Sequence, residues 1–211
     1  MLNYLAKISM QAVSLVNSQQ KVEVKTRDIL VPRLLRKSLI EIAHQASNGG
    51  LSVGLLGEIS ARLSSARFVI NAYDTVFASM KEENLLIIDL QGSCTGEKLQ
   101  PACHMAWHKM IYSHTQANYV LYCQPRFAMH FANKMELPQA RFMLDASDRI
   151  GGITCTTAED SSIYDAIVQH HAVLIKGYGL LVWAEEIEHL LSRAEIVERW
   201  CDLSQDGMQK E

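Results

Sequence analysis

Segments with hydrophobic residues at helical spacing alternate along this chain with short, continuous hydrophobic runs. The helical spacing predicts helices over residues 34–45, 101–113, 126–133, 161–170 and 185–203. The short runs predict strands over residues 60–63, 68–71, 85–88, 119–123, 172–175 and 180–183. Because helices and strands interleave, the chain is expected to form an α/β domain with helices on both faces of a sheet.

The first 28 residues carry a separate hydrophobic pattern. Their apolar side chains fall at helical spacing, and polar residues such as Lys7 and Gln11 interrupt every apolar run. A secretory signal needs an uninterrupted apolar stretch, and a membrane-spanning helix needs about twenty apolar residues. We therefore expect an N-terminal amphipathic extension over residues 1–28 and a single domain over residues 29–211.

Composition narrows the expected partners. The chain has 211 residues, of which 48% are hydrophobic, and its net charge is −3. It contains no run of basic residues, so neither nucleic acid nor a membrane is an expected partner. The cysteines are odd in number and form no C-x-x-C pair, which indicates a reduced, cytoplasmic protein. They are Cys94, Cys103, Cys123, Cys155 and Cys201.

Three motifs stand out in this sequence. The first reads G-L-L-G-E-I-S-A-R at residues 54–62, the second runs from P-A-C-H at 101–104 through His108 to Tyr112, and the third is K-G-Y-G at 176–179. In order and spacing they resemble the class II aldolase/adducin family, whose motifs read G-T-S-G-N-I-S-x-R, P-S-S-E-x-x-x-H-x-x-I-Y and N-H-G, with H-T-H on an intervening strand. The resemblance covers roughly residues 34–203 and implies a three-layer α/β/α sandwich around a mixed, largely antiparallel sheet.

The resemblance also implies a metal centre whose ligands are missing here. Enzymes of the family hold a divalent metal, usually zinc, on three histidines, and these positions fall at Cys123, Pro125 and Tyr178. Proline offers no ligand atom, and a neutral phenol is a poor ligand for zinc. The acid/base glutamate of the family falls at His104, which is the candidate catalytic residue because imidazole can also transfer protons.

The residues that bind phosphate in the family are replaced in this sequence as well. Ala102 and Cys103 stand where two serines are expected, and Glu58 stands at the asparagine of the first motif. Asp74 lies in the turn that resembles the T-P-S-G motif. Two carboxylates facing a phosphate would be unfavourable without compensating cations. The pocket candidates at the family's site positions are Glu58, Asp74, Cys103, His104, Cys123 and Tyr178.

A rewired metal site is an alternative reading of the same residues. His104 and His108 lie one helical turn apart, so both imidazoles could bind one metal together with Cys123. The other interpretation is that His108 and Cys123 are packed scaffold residues and that His104 lies in a vestigial cleft. The side-chain pattern leaves both interpretations open.

The function expected first is binding or assembly by a pseudoenzyme of the family, rather than standard aldol cleavage. Adducin is a precedent, because its head domain resembles the enzymes and acts in cytoskeletal assembly. This reading needs no cofactor, and the resemblance implies a homo-oligomer, a tetramer, that binds a protein partner or a small molecule. A sensor that keeps the pocket without the reaction is a further hypothesis.

The alternative is an enzyme of carbohydrate metabolism. A metal-dependent lyase or epimerase would act on a small carbonyl or sugar-type substrate through a non-standard centre around His104, Cys123 and Tyr178. Only this alternative requires zinc or another divalent metal, and it requires that the three side chains converge in one accessible cleft.

Overall fold

A single eight-stranded sheet with six helices accounts for the part of the chain that the structure describes. The structure, a computed structural model, describes residues 31–91, 94–95 and 99–208, so the predicted extension at residues 1–28 lies outside it. The strands are β1 Glu58–Arg62, β2 Arg67–Asn71, β3 Leu85–Asp89, β4 Cys94–Thr95, β5 Tyr119–Cys123, β6 Ile153–Thr156, β7 Ala172–Ile175 and β8 Gly179–Ala184. The helices are α1 Arg33–Asn48, α2 Met105–His114, α3 Arg126–Lys134, α4 Ala146–Ile150, α5 Asp160–Gln169 and α6 Ile187–Met208.

The strand order is β4-β3-β2-β1-β5-β8-β7-β6. Among the described strands, β6 and β7 form a parallel pair and the other neighbours are antiparallel. The predicted hairpin of β7 and β8 forms across the Gly177 turn. The sheet is therefore mixed and largely antiparallel, as expected from the sequence.

Two hydrophobic cores cover the two faces of the sheet. Side chains alternate between faces along each strand. Leu121 and Cys123 of β5 therefore pack in one core with α1, α3, α4 and α6. Val120 and Tyr122 of the same strand pack in the other core with α2 and α5. This arrangement confirms the three-layer α/β/α sandwich.

Local patterns located most elements and misplaced some of their ends. The strand over residues 119–123 was predicted with its observed bounds, whereas the helix predicted from residue 101 begins at Met105. Pro101 instead bridges to Ala72, and residues 102–104 form a turn. The short edge strand β6 and the single-turn helix α4 were not predicted. No helix in the described ranges is long and apolar enough to cross a membrane.

Candidate functional site

A row of buried polar side chains joins strand β1 to helix α2. Glu58 and Ser60 lie opposite Tyr122 and Val120 in the antiparallel register, and they therefore point into the α2 side of the sheet. Two residues of a strand advance about 6.6 Å and four residues of a helix about 6 Å. Alternate residues of β1 can therefore meet every fourth residue of α2. They do so at His104, which precedes the first turn, and at His108.

Glu58 holds the carboxylate at the start of this row. It is 5% exposed. Its Oε1 and Oε2 lie 3.1 and 3.2 Å from the backbone nitrogen of His104, which donates to them. Oε1 also lies 2.8 Å from Nδ1 of the His104 ring, and Oε2 lies 3.5 Å from Nε2 of His108. Three nitrogens from the start of α2 thus surround one carboxylate.

The surroundings of Glu58 keep its carboxylate ionised. Burial by itself raises the pKa, but the nearby ring nitrogens of His104 and His108 outweigh burial and lower the pKa to about 2. An ionised carboxylate can only accept hydrogen bonds. Nδ1 of His104 and Nε2 of His108, the ring nitrogens that face Glu58, therefore carry the protons.

The row continues inward from His108. Nδ1 of His108 lies 2.7 Å from Oγ of Ser60, which lies 2.7 Å from the hydroxyl of Tyr112. Burial raises the pKa of Tyr112 far above its usual range, although the Ser60 bond and the Arg62 charge oppose this rise. Ser60 therefore links the His108 ring to the Tyr112 hydroxyl and is the middle member of the row.

Arg62 serves the scaffold at the other end of α2. Its guanidinium donates to the carbonyl oxygens of Tyr112, Thr115 and Ala117 at 2.9, 3.1 and 2.9 Å. It also lies over the Tyr112 ring, 5.0 Å from the centroid. Carbonyls at the end of a helix lack partners within the helix, so Arg62 caps α2. The arginine of the first motif thus has a structural role, because its guanidinium bonds to backbone carbonyls rather than to a ligand.

Aromatic rings enclose His104. Its ring stacks on Trp107 at 4.3 Å between centroids and lies 4.5 Å from Tyr122 and 5.4 Å from Tyr178. The Tyr122 hydroxyl donates to the Tyr178 carbonyl at 2.8 Å and accepts from Gln124 at 2.7 Å. Burial raises the pKa of Tyr122 to about 12, so this phenol stays a donor. The His104 side chain retains 21% of its exposure and is the accessible end of the polar row.

The structure corrects the expected role of Cys123. Cys123 is fully buried in the core opposite to the one that faces His104 and His108. Burial, with the charge of Glu198, raises the pKa of its thiol far above the usual range. The alternative metal set of His104, His108 and Cys123 is therefore not brought together, and neither is the predicted centre of His104, Cys123 and Tyr178. Only His104 and Tyr178 converge.

The zinc centre that the resemblance implies does not fit these residues. Pro125 has no ligand atom. The protonated thiol of Cys123 faces the opposite core from His104 and Tyr178, which contact each other. Within the described ranges, no group of three or more His, Cys, Asp or Glu side chains is arranged to hold a metal ion. The family's ligand positions therefore supply no set of side chains that converges on a metal.

The remaining pocket candidates lie at the outer edge of the site. Cys103 is exposed, and slight burial together with the charges of Glu58 and Asp74 raises the pKa of its thiol. A raised pKa disfavours the thiolate that a nucleophile requires. Asp74 is exposed in a turn with a left-handed φ of 59°, and Tyr178 is 37% exposed. Of these residues, Tyr178 contacts the His104 ring and Cys103 precedes His104 in the chain.

Sequence reasoning missed the partners that organise the site. Ser60, Trp107, Tyr122 and Gln124 were assigned no role, although each contacts the row or its aromatic wall. One signal was present in the sequence. Polar residues at alternate positions of a strand, followed later by His104, His108 and Tyr112 at fourth positions of a helix, predict a buried polar seam once the two elements are packed together.

Fold and site together define an α/β sandwich of aldolase type with an internally paired polar site. Residues 37–204 match the family model described as Class II Aldolase and Adducin N-terminal domain. The chain therefore belongs to the Class II Aldolase and Adducin N-terminal domain family. No curated protein matches the sequence significantly.

Solved structures share this fold. The YgbL protein of Escherichia coli, a proposed aldolase/epimerase/decarboxylase, has a TM-score of 0.73 at 15% identity, covering 81% of this chain and 87% of its own. An L-fuculose 1-phosphate aldolase from Glaciozyma antarctica gives 0.74 at 16% identity, covering 84% of this chain and 74% of its own. The L-fuculose-1-phosphate aldolase of Thermus thermophilus gives 0.68 at 19%, covering 83% and 94%. Likeness at these identities concerns the fold.

Proposed function

We propose that this protein acts by binding or assembly, as a family member whose metal and phosphate sites are degenerate, and that it does not carry out standard metal-dependent aldol cleavage. The observation that carries the proposal is the replacement of the metal ligands. Cys123 is buried in the far core, and position 125 is a proline. A Lewis acid that polarises a carbonyl needs several converging ligands and an open position for substrate.

The phosphate side of the site supports the same proposal. Glu58 places an ionised carboxylate against the first turn of α2, and Ala102 and Cys103 supply no hydroxyl groups there. The rings of Trp107 and Tyr122 pack directly on His104. These contacts use the polar and aromatic groups of the site for one another rather than for a phosphorylated sugar.

Metal content tests the proposal. Protein purified without a metal-affinity tag is analysed for zinc, manganese and iron, beside the His104→Ala/Cys123→Ala variant. We expect far less than one metal per chain in both proteins. Near-stoichiometric metal that disappears in the double variant would contradict the proposal and identify a new ligand set.

The proposal includes a cytoplasmic homo-oligomer, taken as a tetramer, that binds a protein partner or a small molecule. Several large apolar side chains are exposed, among them Leu55, Tyr73 and Tyr178 at 52%, 50% and 37%. Exposed apolar surface favours association. Light scattering coupled to size exclusion is expected to give about four chains per particle, and a monomer at micromolar concentration would contradict the assembly.

One observation favours a second candidate function, metal-free proton transfer. Glu58 holds Nδ1–H of His104, which leaves Nε2 as the basic nitrogen, the arrangement by which carboxylates orient catalytic histidines. Nε2 would take a proton from the carbon beside a carbonyl group and return one from solvent. Substrates would be small carbonyl or sugar-type compounds.

Deuterium exchange tests this second candidate. Dihydroxyacetone is incubated with the protein in D2O and EDTA, and loss of the C–H signal is followed by NMR. The candidate predicts exchange that His104→Ala abolishes and that His114→Ala, a control at the far end of α2, leaves unchanged. Exchange no faster than in protein-free buffer would eliminate it for this substrate class.

A further inference from the structure

We propose that Glu58 is a built-in anion that fills an anion-binding site at the start of α2, so that the exposed surface at His104 rejects anionic ligands and accepts neutral or cationic groups. The inference deepens the proposed function, on which it rests, by naming the class of ligand. Glu58 would then determine which class of ligand binds beside His104.

The first support is the position of the carboxylate. Helix α2 begins at Met105, and its preceding residue His104 makes no capping bond with its own side chain. Backbone N–H groups at the start of a helix lack partners within it and attract anions. Both oxygens of Glu58 accept from the His104 N–H, at 3.1 and 3.2 Å, and thereby occupy the place of an external anion.

The second support is an independent buried donor directed at the same point. His108 is fully buried, and its Nε2 has no hydrogen-bond partner within the described residues. This nitrogen lies 3.5 Å from Oε2 of Glu58. An unpaired buried donor is costly, and it is stabilised by negative charge nearby. With Nδ1 of His104 at 2.8 Å, the site offers three N–H groups to one anion.

Glu198 provides an internal comparison. Its carboxylate also meets a helix start, accepting from the backbone N–H of Phe127 and Ala128 at 2.8 to 3.1 Å. Burial is the largest influence on the pKa of both carboxylates. It raises the pKa of Glu198, whereas in Glu58 the two histidines together outweigh burial and lower the pKa. Glu198 is therefore a helix cap, and the histidines distinguish the Glu58 site from a cap.

The consequence concerns any ligand that reaches His104. A phosphate or carboxylate would find its donors already bonded and would be repelled by Glu58, with Asp74 near enough that both charges act on Cys103. A hydroxyl or ammonium group would meet neither obstacle. The structure therefore assigns neutral or cationic chemistry to the ligand at this position.

Phosphate rescue tests the proposal. In Glu58→Gly the carboxylate is removed and its volume becomes free, so inorganic phosphate is expected to raise the melting temperature of this variant saturably. Chloride at equal ionic strength is expected to have no such effect. Wild-type protein is expected to show no phosphate-specific rise, because its own carboxylate fills the site.

Two controls define what the rescue means. Glu58→Gly/His108→Asn should bind phosphate at least roughly tenfold more weakly, because a charge-assisted donor is lost. Glu198→Gly should gain nothing from phosphate. A folded Glu58→Gly protein without phosphate-specific stabilisation would overturn the proposal, as would equal phosphate binding by the wild type. Metal content, which tests the proposed function, is a separate measurement, so the two can fail independently.

A measurement on wild-type protein decides the matter if Glu58→Gly does not fold. Imidazole 15N NMR at pH 7 reports which ring nitrogens carry protons. The proposal predicts protonated Nδ1 on His104 and protonated Nε2 on His108, the atoms that face Glu58. An unprotonated nitrogen at either position would overturn it.

Discussion

At the scale of the residue, Glu58 shows how one substitution changes the chemistry expected at a site. A carboxylate at this position looks unfavourable in the sequence, because the family's motif places an uncharged asparagine there. In the structure it is stabilised by His104 and by His108. Glu58 and His104 are therefore explained together, as partners in one hydrogen-bonded pair.

Removing this charge is expected to change the pH dependence of stability. The pKa of Glu58 is lowered to about 2, so its contribution is present above about pH 4.5 and is lost as pH falls through 2. The contribution is on the order of 3 kcal/mol. Urea unfolding of wild type and Glu58→Gln should therefore differ most above about pH 5 and converge toward pH 2.

The control for this prediction is Glu83→Gln, whose side chain is 75% exposed and has the same chemistry. Its free energy of unfolding should follow the wild type across the pH range. A constant difference between wild type and Glu58→Gln from pH 6 to pH 2 would contradict the account of the Glu58 charge.

Ser60 tests the central place assigned to it in the buried row. Ser60→Ala leaves both His108 Nδ1 and the Tyr112 hydroxyl without their partner, whereas Tyr112→Phe removes only one of the two partners of Ser60. An unsatisfied buried polar group costs about 1–3 kcal/mol. Ser60→Ala should therefore lower the free energy of unfolding more than Tyr112→Phe, as measured by urea titration at pH 7. The opposite order would contradict the assigned row.

At the scale of the element, β1 and α2 depend on each other. Alternate residues of β1 bond to α2 at its start, its middle and its end, through Glu58, Ser60 and Arg62. The helix was predicted to start four residues too early, because the residues before Met105 bond to distant parts of the chain instead of forming a first helical turn. Pro101 pairs with Ala72, and the His104 N–H bonds to a side chain 46 residues away. No local pattern encodes such a partner.

Arg62 provides the prediction at this scale. Arg62→Met keeps the aliphatic stem but leaves the carbonyls of Tyr112, Thr115 and Ala117 without their donor. We expect a loss of about 1–3 kcal/mol and faster amide exchange in the last turn of α2. Arg149→Met, which removes an exposed pair with Asp145, should change the free energy of unfolding much less than Arg62→Met does. Equal losses in the two variants would contradict the capping role.

At the scale of the whole molecule, the fold was predictable and much of the site was not. The order of the three motifs implied the sandwich, and continuous runs such as residues 172–175 marked buried strands. Which core the Cys123 side chain enters depends on the register of its strand, because a shift by one residue moves every side chain to the other face of the sheet. The pairing of His104 with Glu58 depended on packing of distant segments, which residue types alone do not determine.

The measurement that tests the central claim most directly is retro-aldol cleavage of L-fuculose 1-phosphate in the presence of added zinc. Product aldehyde is followed by a coupled reduction, with a solved L-fuculose 1-phosphate aldolase as the positive control. Because the metal ligands are replaced and Glu58 opposes the phosphate, the account predicts a rate equal to that of zinc in buffer. Zinc-dependent turnover that His104→Ala abolishes would contradict it.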